Sequence, residues 1–441
     1  MLYRKIQKTI EQHFKSNSNK IMIIDGARQI GKSYIIRYVG KKMYENYIEI
    51  NLLEDFLNDK LFANTKNIKD FYLQLSMIAG DKMHEKDNTL VFLDEIQVYP
   101  HLLTLLKFLK QDDRFTYIAS GSLLGVTLAN TTSIPMGSIE VIRMYPLDFE
   151  EFLYANGFSG ETIKQLNEKF NNLESLAPAM HNMMLDLLKK YLLIGGLPDA
   201  VNSYLNDFNI HNIRKIQTEI TNYYALDASK YDSEKKLKIR RIYDMIPSVL
   251  ENKKKRLVIK DIENKKGKRV SDYVDEFDYL INSGIALEVK AISTPVFPLI
   301  ESSGKNLLKL YLNDVGILTN ILYKSNIRAV LDNQKSINLG TVYESVVASE
   351  LKAHGYNLFY YDNKSKGEVD YLLDDYNTLS VVPLEIKSGK DYTIHSALNN
   401  FINNKDYNIQ KAYVLSNERE IKQVGKIIYM PIYNIMFFEN V

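Results

Sequence analysis

The sequence predicts a multidomain α/β protein, and three observations carry that expectation. Short β-rich runs alternate with helical stretches over the first third, a mostly helical middle follows, and a helix leading into further strands closes the chain. Strands that alternate with helices imply a parallel sheet with crossover helices. With roughly 150 residues per domain as a soft guide, the 441 residues divide into regions at 1–155, 156–330 and 331–441.

In the first region the strand-like runs are Ile21 to Ile24, Tyr47 to Asn51, Leu90 to Leu93 and Thr116 to Ala119. In the second, apolar residues recur at three- and four-residue spacing in Met183 to Leu193 and Ile239 to Leu250, which is the period of a helix with one buried face. Gly195-Gly196-Leu197-Pro198 ends the first of these. In the third, a helix over Val342 to Ala353 precedes strands at Leu358 to Tyr361, Glu368 to Leu373, Leu379 to Ile386, Ala412 to Leu415 and Ile427 to Tyr429.

Composition narrows the function classes. The hydrophobic fraction of 45% and charged fraction of 25% are those of ordinary globular proteins. The absence of cysteine excludes disulfides, thiolate nucleophiles and cysteine-bound zinc, so any metal is expected to be oxygen-bound, such as Mg²⁺. A formal charge of +2 does not describe a generic polyanion binder. No secretory signal and no long uncharged apolar run is read from the sequence, so a cytoplasmic protein without a membrane span is expected.

The strongest motif is Gly26-Ala27-Arg28-Gln29-Ile30-Gly31-Lys32-Ser33, set between an apolar strand and a helix. Glycines let backbone N–H groups turn inward around phosphate oxygens, and the N-terminus of the following helix favours the anion. Lys32 is expected to reach the β- and γ-phosphates of ATP and Ser33 to ligate Mg²⁺. Expected nucleotide contacts are therefore Gly26, Ala27, Arg28, Gln29, Ile30, Gly31, Lys32, Ser33 and Tyr34. Arg28 fits either a phosphate-facing or a solvated loop position.

Leu90-Val91-Phe92-Leu93-Asp94-Glu95 is an apolar strand ending in two carboxylates. That arrangement places Asp94 beside the metal and Glu95 as the base for the attacking water. A further strand ends in Ser120-Gly121-Ser122, where Ser120 and Ser122 suit γ-phosphate sensing or simple turn chemistry equally.

These stretches, with Tyr145 to Leu153, Gly195 to Pro198 and Lys309 to Gly316, resemble a family of bacterial and archaeal AAA-type ATPases, allied to the STAND group. Its members carry a C-terminal domain of unknown function numbered 4143. The resemblance implies ATP binding and hydrolysis, with a possible homo-oligomer through the ATPase domain. Many members have Gly-Arg shortly before the Pro-Leu stretch; Gly137-Ser138 stands here, leaving Arg143 as the substitute nucleotide-facing arginine.

Ile239 to Val289 reads as helix, short helix, helix, strand, an order that resembles a winged helix. Lys253, Lys254, Lys255, Arg256, Lys260, Lys265, Lys266, Lys268 and Arg269 precede its recognition helix, where they could meet DNA phosphates. The helix itself contains Asp272, Asp275, Glu276 and Asp278, which suits packing on another domain better than a major groove.

In the last region Glu344 on a helix, Asp370 in Gly367-Glu368-Val369-Asp370, and Glu385-Ile386-Lys387 follow one another in the order of a restriction-endonuclease-like core. The pattern resembles the PD-(D/E)XK nucleases. Glu344, Asp370 and Glu385 would then bind metal, and Lys387, two residues from Glu385 on a strand, would face the same side. Surface ion pairing and a nuclease fold that has lost cleavage stand as alternatives. The expected function is an Mg²⁺-dependent ATPase coupled to a DNA-directed, nuclease-like domain; the alternative is an ATP-driven switch whose C-terminal domain only binds.

Overall fold

The computed structural model describes residues 1–16, 18–83, 88–122, 124–125, 137–231, 236–252, 255, 262, 270–302, 308–332, 339–363, 365–389 and 391–439. The chain forms two compact units: Met1–Tyr145 with Asn282–Gly284, and Pro146–Ile281 with Ile285–Val441. Among the described residues no helix is long and apolar enough to cross a membrane.

Unit 1 is built on strands β1 (Ile21–Asp25), β2 (Asn46–Asn51), β3 (Thr89–Asp94), β4 (Thr116–Gly121) and β5 (Ile139–Arg143). They form one sheet in the order β2-β3-β4-β1-β5, and every neighbouring pair is parallel. β1 and β3 are buried along their whole length, which is why both read as unbroken apolar runs rather than as alternating ones. Ile21, Ile23, Ile50, Val91 and Leu93 pack with Phe71, Leu75, Leu102 and Leu106 from the helices Ile68–Ala79 and Pro100–Asp112. The helix that follows β1, Lys32–Met43, buries Ile35, Ile36 and Val39.

The sequence did not reveal β5. Only its first residue is buried, and Glu140 and Arg143 interrupt the apolar pattern, as suits an edge strand.

Unit 2 combines helices, among them Pro178–Ile194, Ile210–Tyr231 and Lys236–Glu251, with an eight-stranded sheet. Its strands are β6 (Ala286–Ile292), β7 (Leu308–Leu312), β8 (Phe359–Asn363), β9 (Gly367–Asp375), β10 (Ser380–Ile386), β11 (Ala412–Ser416), β12 (Lys422–Val424) and β13 (Ile427–Pro431). The order is β12-β13-β11-β10-β9-β8-β6-β7.

The strand read from sequence as the end of a winged helix is β6, and it lies inside the eight-stranded sheet. Its Lys290 to Ile292 run parallel to Phe359 to Tyr361 of β8, and its other edge is antiparallel to β7. The reason is the apolar alternation of Ala286, Leu287, Val289 and Ala291, which buries the strand within the larger sheet. Of the basic run, Lys255 alone is described; Lys253, Lys254, Arg256, Lys260, Lys265, Lys266, Lys268 and Arg269 lie outside the described residues.

Candidate functional site

β1 delivers the chain into a tight loop. Gly26 has φ +146°, and a Cβ there would lie 2.3 Å from the Met144 carbonyl oxygen, so only glycine fits the close approach of the two backbone segments. Gly31 (φ +92°) then turns the chain into the helix that starts at Lys32. The free N–H groups of that helix start make a ready anion site. Arg4 braces the loop, since its Nη1 donates to the Ile30 carbonyl at 2.8 Å.

Lys32 is folded into the loop it would serve. Its Nζ donates to the carbonyls of Gly26 at 2.9 Å and Ala27 at 2.7 Å. Burial pushes its ammonium below the ordinary value, against the pull of Glu95, Asp25 and Asp94. Ile30 is fully buried and anchors the loop in the core, whereas Gln29 and Tyr34 are exposed and Arg28 is half-buried. Ile30 and Ala27 can therefore contribute backbone groups alone.

The C-terminal ends of β3 and β4 supply the second wall. Asp94 Oδ1 accepts hydrogen bonds from Ser33 Oγ at 2.9 Å and from Ser120 Oγ. Burial raises the Asp94 carboxyl above its usual range, and those two hydroxyls work against the rise. Glu95 has φ +57°, an unfavourable left-handed conformation for a non-glycine residue. Its Oε2 accepts from Ser122 Oγ at 2.9 Å and from Gln97 Nε2. Arg143, at the end of β5, puts Nη1 3.6 Å from Asp25 Oδ2. The Asp25 carboxyl is raised by burial, which Arg143 and Lys32 partly offset.

The structure thus brings Lys32, Ser33, Asp94 and Ser120 together, with Glu95 next along the chain from Asp94. The oxygens of Ser33 and Asp94 are hard donors converging on one point beside the loop, and they fit an Mg²⁺ ion. Sequence reasoning missed Gln97 and Arg4. Gln97 lies two residues beyond the Leu90 to Glu95 run, where nothing in the pattern marks it, and no local pattern could tie Arg4 to Ile30.

In unit 2 the expected C-terminal residues also gather. Asp370 lies on β9, Glu385 at the end of β10 and Lys387 just beyond, with β9 and β10 antiparallel. Asp370 Oδ2 accepts the Ile386 N–H at 2.8 Å, and Lys387 Nζ pairs with Glu385 Oε1 at 2.8 Å. Glu344, on the helix Leu339–Ala353, pairs with Lys255 and accepts from Tyr311 Oη at 3.1 Å.

Burial, then the nearby Glu385 and Glu344, drive the Asp370 carboxyl well above its usual range. Glu385 is likewise raised by burial, against the opposing charge of Lys387. Burial alone would lower the Lys255 ammonium; Glu344, with Asp370 and Glu368, more than offsets that and holds it above its ordinary value. Lys255, one of the basic run that could meet DNA phosphates, is paired with the Glu344 carboxylate. Among the described residues no group of three or more histidine, aspartate or glutamate side chains is arranged to hold a metal ion. The carboxylates are met by lysines and backbone instead.

A parallel sheet whose strand ends carry a phosphate loop, a buried lysine and paired acids defines an AAA-type, nucleotide-binding P-loop ATPase domain. In agreement, residues 18–153 match the family described as an AAA domain. Residues 185–328 and 339–435 match two domains of unknown function, DUF8612 and DUF4143. An uncharacterized protein of Haemophilus influenzae is 24% identical over 191 residues, 42% of this chain and 46% of the relative. The chain thus spans about half the length of that curated relative.

Among solved structures, the Walker-type ATPase of Pyrococcus abyssi is similar at 14% identity and a TM-score of 0.42, over 72% of this chain and 95% of that one. The Orc1 protein of Aeropyrum pernix, solved in complex with DNA, is similar at 11% identity and a TM-score of 0.33, over 73% and 94%.

Proposed function

We propose that unit 1 hydrolyses ATP to ADP and phosphate with Mg²⁺. The observation that carries this reading is the meeting of Ser33 and Ser120 on Asp94 Oδ1, with Lys32 held against the Gly26 and Ala27 carbonyls. When ATP enters, the loop N–H groups cradle its phosphates and Lys32 exchanges its carbonyl partners for phosphate oxygens. Ser33 and Asp94 would hold the magnesium ion, which neutralises charge on the β- and γ-phosphates. Glu95 takes a proton from water as the water oxygen bonds to the γ-phosphorus; the bond to the β–γ bridging oxygen breaks, and ADP leaves with that electron pair. Arg143 enters this reading as a positive charge beside the loop. ADP release should require Mg²⁺, and Lys32→Ala and Glu95→Gln should each reduce it about a hundredfold or more. Turnover that persists in Lys32→Ala would refute the assignment.

A second reading concerns unit 2, for which a DNA-directed nuclease-like role is proposed through Asp370, Glu385 and Lys387. Glu385 Oε2 supports it, because that oxygen is buried and lacks a hydrogen-bond partner among the described residues. Such atoms are costly unless a ligand serves them. The lysine pairing of Glu344 and Glu385 does not fit a preformed metal site, so no metal-assisted step is assigned. Linear, circular and single-stranded DNA incubated with Mg²⁺ or Mn²⁺ decide the matter. Intact DNA, unaffected by Asp370→Ala, would leave unit 2 as a non-catalytic module under control of the ATPase.

A further inference from the structure

Glu95 sits on a turn made to hold it. After the left-handed Glu95 the chain makes one 3₁₀ turn, Ile96–Val98, closed by the Val98 N–H on the Glu95 carbonyl at 3.0 Å and the Tyr99 N–H on the Ile96 carbonyl at 3.2 Å. This tight turn folds the Gln97 side chain back onto the carboxylate two residues earlier. Gln97 Nε2 donates to Glu95 Oε2 and also reaches Ser122 Oγ at 3.2 Å, while Ser122 Oγ donates to the same Oε2 at 2.9 Å.

The three side chains close a triangle in which both donors converge on one oxygen. Oε1 accepts no hydrogen bond among the described residues. A carboxylate accepts and never donates, so the amide nitrogen of Gln97 must face it. That leaves Gln97 Oε1 buried without a hydrogen-bond partner among the described residues. A buried orphan acceptor is unfavourable, and the orientation persists because the charged bond to Glu95 is the stronger interaction.

Gly121 completes the arrangement. A Cβ at this position would stand 2.9 Å from Gln97 Oε1, so the missing side chain at the end of β4 admits the amide. Its φ lies outside the left-handed region, so steric access to Gln97, not backbone freedom, is what glycine supplies here.

We infer that Gln97 and Ser122, admitted by Gly121, are positioning residues for Glu95: they clamp Oε2 and leave Oε1 to accept the proton of the attacking water. The inference rests on the ATPase reading of unit 1. It assigns to Ser122 a contact with the base rather than with the γ-phosphate, and so separates its role from that of Ser120, which bonds Asp94. General-base efficiency depends on holding the accepting oxygen within hydrogen-bond reach of the water. Loss of the clamp therefore acts on the chemical step and leaves ground-state nucleotide binding alone.

The test is steady-state ATP turnover together with fluorescent-ADP binding, on the full chain carrying Gln97→Ala, Ser122→Ala, Ser122→Thr or Gly121→Ala. The expected result is a kcat reduced about tenfold by Gln97→Ala and by Ser122→Ala, with KM for ATP and ADP affinity within about twofold of the unmodified protein. Ser122→Thr, which keeps the hydroxyl, should restore most of the loss. Gly121→Ala should act like Gln97→Ala, and the pair should not add, because both break one contact. In a Glu95→Gln background Gln97→Ala should change nothing further. Unchanged or increased kcat in both Gln97→Ala and Ser122→Ala, with Lys32→Ala inactive, would overturn this inference and leave the ATPase reading standing. No turnover in the unmodified protein would overturn both. An equal loss of ADP affinity in Gln97→Ala and Lys32→Ala would mark a merely structural role.

Discussion

Ser33 Oγ donates to Asp94 Oδ1 across 2.9 Å, joining the first turn of the helix after the phosphate loop to the end of β3. The two residues are 61 positions apart in sequence, and the parallel sheet brings their elements side by side. Asp94 also accepts from Ser120, so one buried carboxylate ties together three chain segments.

That linkage predicts a separable phenotype for Asp94. Asp94→Asn keeps the size and one acceptor but removes the charge that would face a divalent ion. Half-maximal turnover should need at least about tenfold more Mg²⁺, with kcat lower by about a hundredfold. ADP binding without Mg²⁺ should stay within about threefold of the unmodified protein, because Lys32 and the loop amides are untouched. A magnesium titration of ADP release decides this; an unshifted midpoint would remove Asp94 from the metal site.

The legibility of the site follows the range of its interactions. Gly26 to Ser33 and Asp94-Glu95 were readable because strand, glycines, lysine and acids are contiguous, and each residue type has one obvious task. The triangle on Glu95 was not, because Ser122 reaches it only through the β3 and β4 pairing. β5 was missed since an edge strand shows one covered end and a polar remainder. β6 was located, but its partners were not legible: periodicity says that a strand is half or fully buried and does not say against which strand. Lys255 looked like surface charge because a cluster of lysines carries no mark of which member turns inward.

The inward turn of Lys255 has an energetic consequence. Its side chain is 16% exposed and that of Glu344 6%, so the pair is nearly out of water. Removing one partner of such a pair strands the other charge in a poorly solvated place. Lys255→Met should lower the stability of unit 2 by about 2 to 4 kcal/mol. Adding Glu344→Gln should recover much of that loss, because Tyr311 Oη can still donate to a neutral amide oxygen. Urea unfolding of the single and double variants reads both effects. A change below about 0.5 kcal/mol in Lys255→Met would mean that the pair behaves as an ordinary surface contact.

Asp314 gives unit 2 a predictable response to pH. It caps the helix Val315–Tyr323, with Oδ1 accepting the Ile317 N–H at 3.0 Å and Oδ2 the Gly196 N–H at 2.7 Å. Despite these bonds, burial pushes its carboxyl up from 3.8 to about 6. A raised folded value means that the native state binds the proton more tightly than the unfolded chain does. Below the unfolded value the group is protonated in both states, and its contribution is fully present. As pH rises through 4 to 6 the unfolded chain ionises first, and stability falls by about 3 kcal/mol before levelling above the folded value. Asp314→Asn abolishes the titration. It also removes one acceptor, so the variant loses the Gly196 contact at every pH, at a cost of about 1 to 2 kcal/mol. The decisive quantity is the difference in unfolding free energy between the two proteins from pH 4.5 to 7.5. With Asp314 as the titrating group, the unmodified protein's advantage shrinks by about 2 kcal/mol across that window. Parallel pH curves would show instead that Asp314 stays ionised throughout.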